Sequence, residues 1–161
     1  MNFTHLTDKL SKYSNEKIVF VGLGNKARGD DLAGIFFTNL LQTKFESGKS
    51  NFILAGKNPE NYLSEIISYK PQAVVFIDAA NWGGKPGEIS FLDPAKILNL
   101  DFSTHAYSIK LVEKFLLLNA KMDFFYIGIQ TKCTDLGKDM SPEVSKAIKN
   151  FFIEHEKVEE R

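Results

Sequence analysis

Short apolar runs rich in Ile, Val and Phe recur along this chain of 161 residues, and segments of helical length separate them. This alternation constrains the fold, because such runs are typical of strands buried in a mostly parallel sheet with helices crossing between them. It predicts strands near residues 18–22, 52–55, 73–78, 88–92 and 124–130. Apolar residues three and four positions apart predict half-buried helices over residues 31–41, 61–69, 107–119 and 142–154.

These elements predict an α/β fold, a three-layer sandwich in which a twisted, mostly parallel five-stranded sheet is flanked by helices on both faces. The run at residues 88–92 follows the preceding strand too closely for a helical crossover, so it is expected to be antiparallel. The length fits a single domain over residues 1–161. We expect a loosely packed leading helix over residues 1–16 and a charged, frayed tail over residues 155–161.

The charges are balanced, with 20 Lys and Arg residues against 20 Asp and Glu residues. A chain without a basic field is a poor ligand for nucleic acid. The single cysteine, Cys133, cannot form an internal disulfide, and the first residues lack the long apolar run of a secretion signal. No apolar run approaches the roughly 20 residues that span a bilayer. We therefore expect a cytoplasmic protein that neither binds nucleic acid nor inserts into a membrane.

A Gly-rich turn with two adjacent acids follows the first predicted strand. Gly24 and Asn25 open it, and Asp30 and Asp31 stand where the next helix begins. Glycine lets the backbone turn tightly and approach a bound group, and helix amides favour nearby negative side chains. An Asp at this position is commonly the N-cap, but only one of two neighbours can cap. The turn therefore offers a carboxylate for chemistry.

A further carboxylate and an imidazole are expected near this turn. Asp78 ends a predicted strand, and ligands of open α/β sheets gather beyond the carboxyl ends of the strands. His105 precedes a predicted helix. An Asx turn at Asp78 and a helix cap at His105 are the structural alternatives. Together with Asp31, these side chains form a set that can hold a divalent transition metal and leave one position open.

Taken in order, these motifs resemble the hydrogenase maturation endopeptidases, most of all those acting on formate-hydrogenlyase-type hydrogenases. The likeness runs from about Lys17 to Ile148. The matching motifs are Gly24-Asn25, Asp30-Asp31 with Gly34, Asp78-Ala79 followed by Pro86-Gly87, and Ser103-Thr104-His105, with weaker likeness at residues 58–61 and 127–130. Leu32 departs from the family pattern, in which Gly is common, as do the charged Lys26 and Arg28.

The resemblance implies a peptidase that removes the C-terminal extension of the nickel-iron hydrogenase large-subunit precursor after nickel insertion. It implies that Asp31, Asp78 and His105 recognise nickel carried by the substrate, and that no organic cofactor is needed. Asp31 is also preferred as the base that activates water, because its turn can approach the substrate backbone. The partner is the nickel-loaded precursor, and the enzyme is expected to be a monomer. The residues expected to contact the substrate are Gly24, Asn25, Asp30, Trp82 and Thr104.

Three alternatives remain open from the sequence. A dinucleotide-binding domain would use Gly22-x-Gly24-x-x-Ala27, but the second strand ends without the acidic residue that binds ribose. Peptidyl-tRNA hydrolases share the turn from Gly22 to Asn25, but they place a catalytic His soon after it. A chaperone could dock on the hydrogenase precursor through aromatic residues such as Trp82 without cutting it.

Overall fold

The computed structural model describes residues 1–45, 50–97 and 105–159, with side chains through Ile153. Within these residues, five strands form one sheet in the spatial order β2-β1-β3-β5-β4. Only β4 is antiparallel to its neighbour, so the predicted mixed, mostly parallel sheet is confirmed. The strands are β1 (Ile18–Leu23), β2 (Asn51–Gly56), β3 (Ala73–Ala80), β4 (Ile89–Phe91) and β5 (Asp123–Gln130).

Helices cover both faces of the sheet, which confirms the predicted three-layer sandwich. The α-helices are α1 (Phe3–Leu10), α2 (Ala33–Lys44), α3 (Leu63–Ser68), α4 (Ala106–Asn119) and α5 (Pro142–Glu159). Helices α1, α2 and α5 pack on one face, and α3 and α4 pack on the other. No helix in the described ranges is both long and apolar enough to cross a membrane.

The central strands β1 and β3 are buried at every position, because helices cover them on both sides. Alternate residues of β3 face opposite layers: Val75 and Ile77 join the core beneath α1, α2 and α5, and Val74 and Phe76 join the core beneath α3 and α4. Asp78 continues the second of these rows. Its side chain is thereby directed to the layer that contains α4.

The N-terminal helix differs from the expectation. It ends at Leu10 rather than continuing to residue 16, and it is not loosely packed. Phe3, Leu6 and Leu10 are buried in the core, and the Phe3 ring contacts the rings of Phe151 and Phe152. Apolar residues three and four positions apart gave this helix a core-facing stripe. At the other terminus α5 continues through Glu159, residues 160–161 lie outside the described ranges, and the fraying of the tail stays a prediction.

Gly34 allows α2 to approach the ends of β1 and β3. A Cβ atom there would lie 2.3 Å from the Ile77 carbonyl oxygen and 2.4 Å from that of Leu23. Gly34→Ala is therefore expected to lower the free energy of unfolding by about 3 kcal/mol, because the helix must move off the sheet. Urea denaturation measures this loss, with Asn39→Ala at an exposed position of α2 as the control. An unchanged midpoint for Gly34→Ala would contradict this account of the packing.

Candidate active site

Three polar side chains from separate parts of the chain meet at the carboxyl end of the central strands. Asp31 lies in the short 3-10 turn between β1 and α2, Asp78 lies near the end of β3, and His105 immediately precedes α4. Each offers one ligand atom, and these atoms lie within 4.8 Å of one another. All three are buried, with exposed fractions of 6% for Asp31, 1% for Asp78 and 3% for His105. The structure thus brings together the residues that the sequence singled out.

The turn around Asp31 depends on a close approach of the backbone at Gly24. Gly24 has a φ of +150°, and a Cβ atom there would lie 2.1 Å from the Asp31 carbonyl oxygen. The next residue, Asn25, donates its main-chain N–H to that same oxygen at 3.1 Å. A side chain at position 24 would therefore displace Asp31. The predicted role of Gly24 in substrate binding stays a prediction, but its effect on the position of Asp31 follows from this contact.

His105 and Asp78 form a buried pair. The Nδ1 atom of His105 lies 3.3 Å from Oδ1 of Asp78. Burial opposes a charged imidazole, but the hydrogen bond and charge of Asp78, together with the charge of Asp31, raise the pKa of His105 above its ordinary value of 6.5. The two carboxylates therefore favour a protonated His105 in the free protein.

Asp31 is disposed to accept a proton. Burial raises the pKa of its carboxyl group above the ordinary 3.8, and the charge of Asp78 adds to this effect. The charges of His105 and Arg28 act in the opposite direction without cancelling it. A raised pKa makes a carboxylate a stronger base, and a shifted carboxyl group beside other titratable groups is typical of catalytic sites.

The raised pKa of Asp31 predicts that this side chain destabilises the fold at neutral pH. The folded state holds the Asp31 proton more tightly than the unfolded state, so its contribution to stability falls as pH rises from 3.8 through the folded pKa. Asp31→Asn is expected to raise the thermal midpoint by at least about 2 °C at pH 8, where His105 compensates the charge least, and to have little effect at pH 3. Thermal unfolding across this range measures the difference. A lower midpoint for the variant at pH 8 would contradict the prediction.

Asp30 points away from this cluster and into the segment after β5. Its carboxylate accepts hydrogen bonds from the main-chain N–H groups of Lys132, Cys133 and Ser141 and from the Ser141 hydroxyl, at 2.6 to 2.9 Å. The residue is completely buried. This placement does not favour the predicted substrate contact, because both carboxylate oxygens are engaged by the chain itself. The two neighbouring acids therefore divide their roles, with Asp30 holding the 131–141 segment and Asp31 facing the cluster.

Gln130 fixes the loop that carries Trp82. Its Oε1 accepts hydrogen bonds from the main-chain N–H groups of Trp82 and Gly84 at 2.9 and 3.1 Å, and its Nε2 donates to Asn81 Oδ1 at 2.9 Å. The sequence analysis included Gln130 in a family-like segment without giving it a role. The available signal was a polar residue at the end of a buried strand, the same signal that identified Asp78.

The other predicted substrate contacts differ in how the structure places them. Trp82 is half-buried, and its ring stands near Gly128, where an added Cβ atom would meet it at 3.0 Å. Asn25 is also half-buried, and its side-chain oxygen accepts the Ala27 N–H at 3.0 Å. Thr104 lies outside the described residues. Contact of these three side chains with a substrate stays a prediction.

Known proteins match both the sequence and the fold. The family model described as hydrogenase maturation protease (HycI) matches residues 37–157. The chain belongs to the hydrogenase maturation protease family. The matched range includes Asp78 and His105 and begins after Asp31, so only geometry groups Asp31 with the other two residues. Family membership confirms the resemblance stated from the motifs and identifies the chain as a peptidase of this family.

Individual members of the family support the same assignment. The crystal structure of a NiFe hydrogenase maturation protease from Thermococcus kodakarensis superposes with a TM-score of 0.78 at 31% identity, covering 94% of this chain and 97% of that one. The hydrogenase 3 maturation protease of Escherichia coli K12 is 28% identical over 140 residues, covering 83% of this chain and 85% of the relative. A Methanocaldococcus jannaschii protein, provisionally named as such a protease, is 30% identical over 137 residues, 81% of this chain and 80% of its own length.

Membership of the hydrogenase maturation protease family decides among the alternatives. A dinucleotide-binding domain and a peptidyl-tRNA hydrolase are excluded by the family match. A chaperone that docks without cutting is disfavoured, because the relatives described above are named as proteases. The convergence of Asp31, Asp78 and His105 agrees with this outcome, because burying two carboxylates and an imidazole costs stability that docking alone does not require.

Proposed function

We propose that this protein is the endopeptidase that removes the C-terminal extension of a nickel-iron hydrogenase large-subunit precursor, and that it recognises nickel already inserted in that substrate. The observation that carries the proposal is the buried convergence of Asp31, Asp78 and His105. Imidazole nitrogen is a good ligand for Ni²⁺, and carboxylate oxygen also binds divalent metals. Family membership supplies the hydrogenase context.

The geometry of the cluster suits an ion that arrives with the substrate. Ligand atoms about 2 Å from a metal lie roughly 3 to 4 Å from each other. The ligand atoms of the three residues lie within 4.8 Å of one another, so only small side-chain movements are needed for all three to contact one ion. The protonated state of His105 favoured by its carboxylate neighbours must be lost before a ring nitrogen can bind metal. Nickel would thus replace a proton on the His105 ring.

Binding the nickel would also position the peptide bond to be cut. The ion is held by the precursor, so fixing it against three buried side chains fixes the adjoining backbone beside Asp31. The carboxylate of Asp31 has two oxygens, so one can contact the nickel while the other accepts a proton from the attacking water. A nickel-free precursor would lack the contact that places its backbone there.

We also propose that the enzyme works as a monomer in the cytoplasm. The free thiol of Cys133 is consistent with a reducing compartment.

The proposal is tested by incubating the protein with nickel-loaded and nickel-free precursor and measuring the mass of each large subunit. Only the nickel-loaded form is expected to lose a C-terminal peptide. Asp31→Asn serves as the matched variant, because it is expected to retain the fold and lose processing. Equal shortening of both precursors would contradict nickel recognition, and normal processing by Asp31→Asn would contradict the role of that residue. Binding without shortening by the unmodified protein would favour the chaperone.

A further inference from the structure

Helix α4 carries apolar side chains on two opposite sides. Ile109, Val112 and Leu116 are buried against the sheet. The side facing solvent presents a second row at spacings of four, four and three residues, with Tyr107 85% exposed, Leu118 77% exposed, and Leu111 and Phe115 about half exposed. We name these four residues, Tyr107, Leu111, Phe115 and Leu118, the α4 outer stripe. A helix that covers a sheet is normally polar on its outer side. An exposed apolar stripe lowers the solubility of the protein unless a partner covers it.

The α4 outer stripe begins at the end of α4 that carries His105. Tyr107 is the second residue after His105, and the stripe runs from there along about 16 Å of helix. In the proposed reaction, the precursor brings its nickel to within bonding distance of His105. Tyr107 faces solvent at the same end of the domain, on the other side of the helix from the buried His105. A folded precursor that docks at this end therefore has the start of the stripe within its reach.

The size of the stripe disfavours a second copy of this chain as its partner. Its exposed apolar surface, with the neighbouring Leu117, is on the order of 500 Å². Pairing two such stripes would bury about 1,000 Å² in total, below the roughly 1,200 Å² at which stable interfaces begin. The area thus suits one part of a larger interface.

The helix that bears the stripe is held rigidly on the sheet. The Tyr126 hydroxyl of β5 donates to the Glu113 carboxylate of α4, and the Lys110 ammonium lies 3.0 Å from the same carboxylate oxygen. Tyr126 is buried, and the Lys110 ammonium lies 4.9 Å from the centre of its ring. A surface fixed in this way loses little conformational freedom when a partner binds, which favours affinity.

We infer that the α4 outer stripe is a docking surface for an apolar face of the hydrogenase large-subunit precursor, separate from the segment that is cut. The inference rests on the proposed function, because the precursor is the partner that must reach His105. The stripe contributes affinity, and the Asp31, Asp78 and His105 cluster contributes nickel recognition and cleavage. Loss of the stripe should therefore raise KM and leave kcat unchanged.

The test uses the double variant Leu111→Glu/Leu118→Glu and, as the matched control, Ile153→Glu. Ile153 is also about half exposed, and it lies on α5 at the opposite face of the sheet. With nickel-loaded precursor, the double variant is expected to show a KM at least about tenfold higher with kcat within about twofold, and the control is expected to match the unmodified protein. Thermal unfolding verifies that both variants are folded. An unchanged KM in the folded double variant would overturn the inference.

Precursor binding, measured by calorimetry, separates this inference from the proposed function. If the unmodified protein binds the precursor without cutting it, the proposed function fails, but weaker binding by the double variant still supports the docking surface. If the unmodified protein cuts the precursor and the double variant binds it equally well, the docking surface alone fails. Two further assays test other partners of the stripe: sedimentation detects a second copy of this chain, and binding to anionic vesicles detects a membrane surface. If the double variant lost self-association or vesicle binding but bound the precursor with normal affinity, the inference would also be overturned.

Discussion

His105→Gln is expected to lower kcat/KM for the nickel-loaded precursor by at least about 100-fold. Changing residues that merely support a metal ligand typically reduces affinity or activity by 10- to 100-fold, so removing a ligand should reduce it at least as much. Glutamine retains hydrogen-bonding groups of similar size but lacks the imidazole nitrogen. Asp78→Asn should have an effect of the same order, because it removes a carboxylate from the same cluster. Mass spectrometry of the large subunit during the reaction measures both rates.

The control for this experiment is His5→Gln, which changes an exposed histidine near the N-terminus. It is expected to process the precursor at the normal rate. Circular dichroism spectra establish whether His105→Gln and Asp78→Asn retain the fold. If a folded His105→Gln variant processed the nickel-loaded precursor normally, the imidazole would have no part in recognition, and the assignment of the cluster would be wrong.

Asp30→Ala is expected to have the largest effect on stability, lowering the free energy of unfolding by about 4 kcal/mol. The change leaves three main-chain N–H groups and the Ser141 hydroxyl without their acceptor. Each buried donor that loses its partner costs about 1 to 3 kcal/mol, partly recovered where water enters. Urea denaturation measures the total. Hydrogen exchange should show faster exchange at the amides of Lys132, Cys133 and Ser141.

Asp135→Ala is the matched control, because Asp135 is an exposed acid in the same segment. Its free energy of unfolding is expected to change by less than about 0.5 kcal/mol. Asp30→Ala with a stability within about 1 kcal/mol of the unmodified protein would show that the carboxylate does not hold the segment.

The adjacent residues Asp30 and Asp31 are thus predicted to respond in opposite ways. Removing the charge of Asp31 should stabilise the fold and stop processing, and removing the side chain of Asp30 should destabilise the fold. The difference comes from their surroundings: hydrogen-bond donors surround the Asp30 carboxylate, whereas burial raises the pKa of Asp31 and the charge of Asp78 adds to that effect. A carboxylate that is buried without enough donors reduces the stability of the fold at a pH where it is ionised.

Much of the fold followed from residue spacing. The buried strands β1 and β3 were predictable as continuous apolar runs, and the antiparallel β4 followed from the short connection after β3. The meeting of Asp31 with Asp78 followed from the rule that ligands gather at the carboxyl ends of parallel strands. These features depend on local pattern and on topology, both of which the sequence contains.

Features that depend on distant partners were not predictable. The hydrogen-bond donors to Asp30 lie more than 100 residues away along the chain, so nothing near Asp30 distinguished it from Asp31. The packing of α1 depends on Phe151 and Phe152 at the opposite end of the chain. Helix α4 was predicted as half-buried, but its two apolar rows look alike in sequence. Only the sheet contacts identify which row is the outer one.

Nickel K-edge X-ray absorption tests most directly whether the cluster contacts the nickel of the substrate. Spectra are compared for the nickel-loaded precursor alone and in complex with Asp31→Asn, whose arrested processing preserves the complex. In this complex we expect new scattering from nitrogen and oxygen atoms bound to the nickel, together with the outer-shell pattern of an imidazole ring. In the complex with the double variant Asp31→Asn/His105→Gln, the imidazole pattern should be absent. Identical nickel spectra for the free precursor and both complexes, with complex formation verified, would contradict the account.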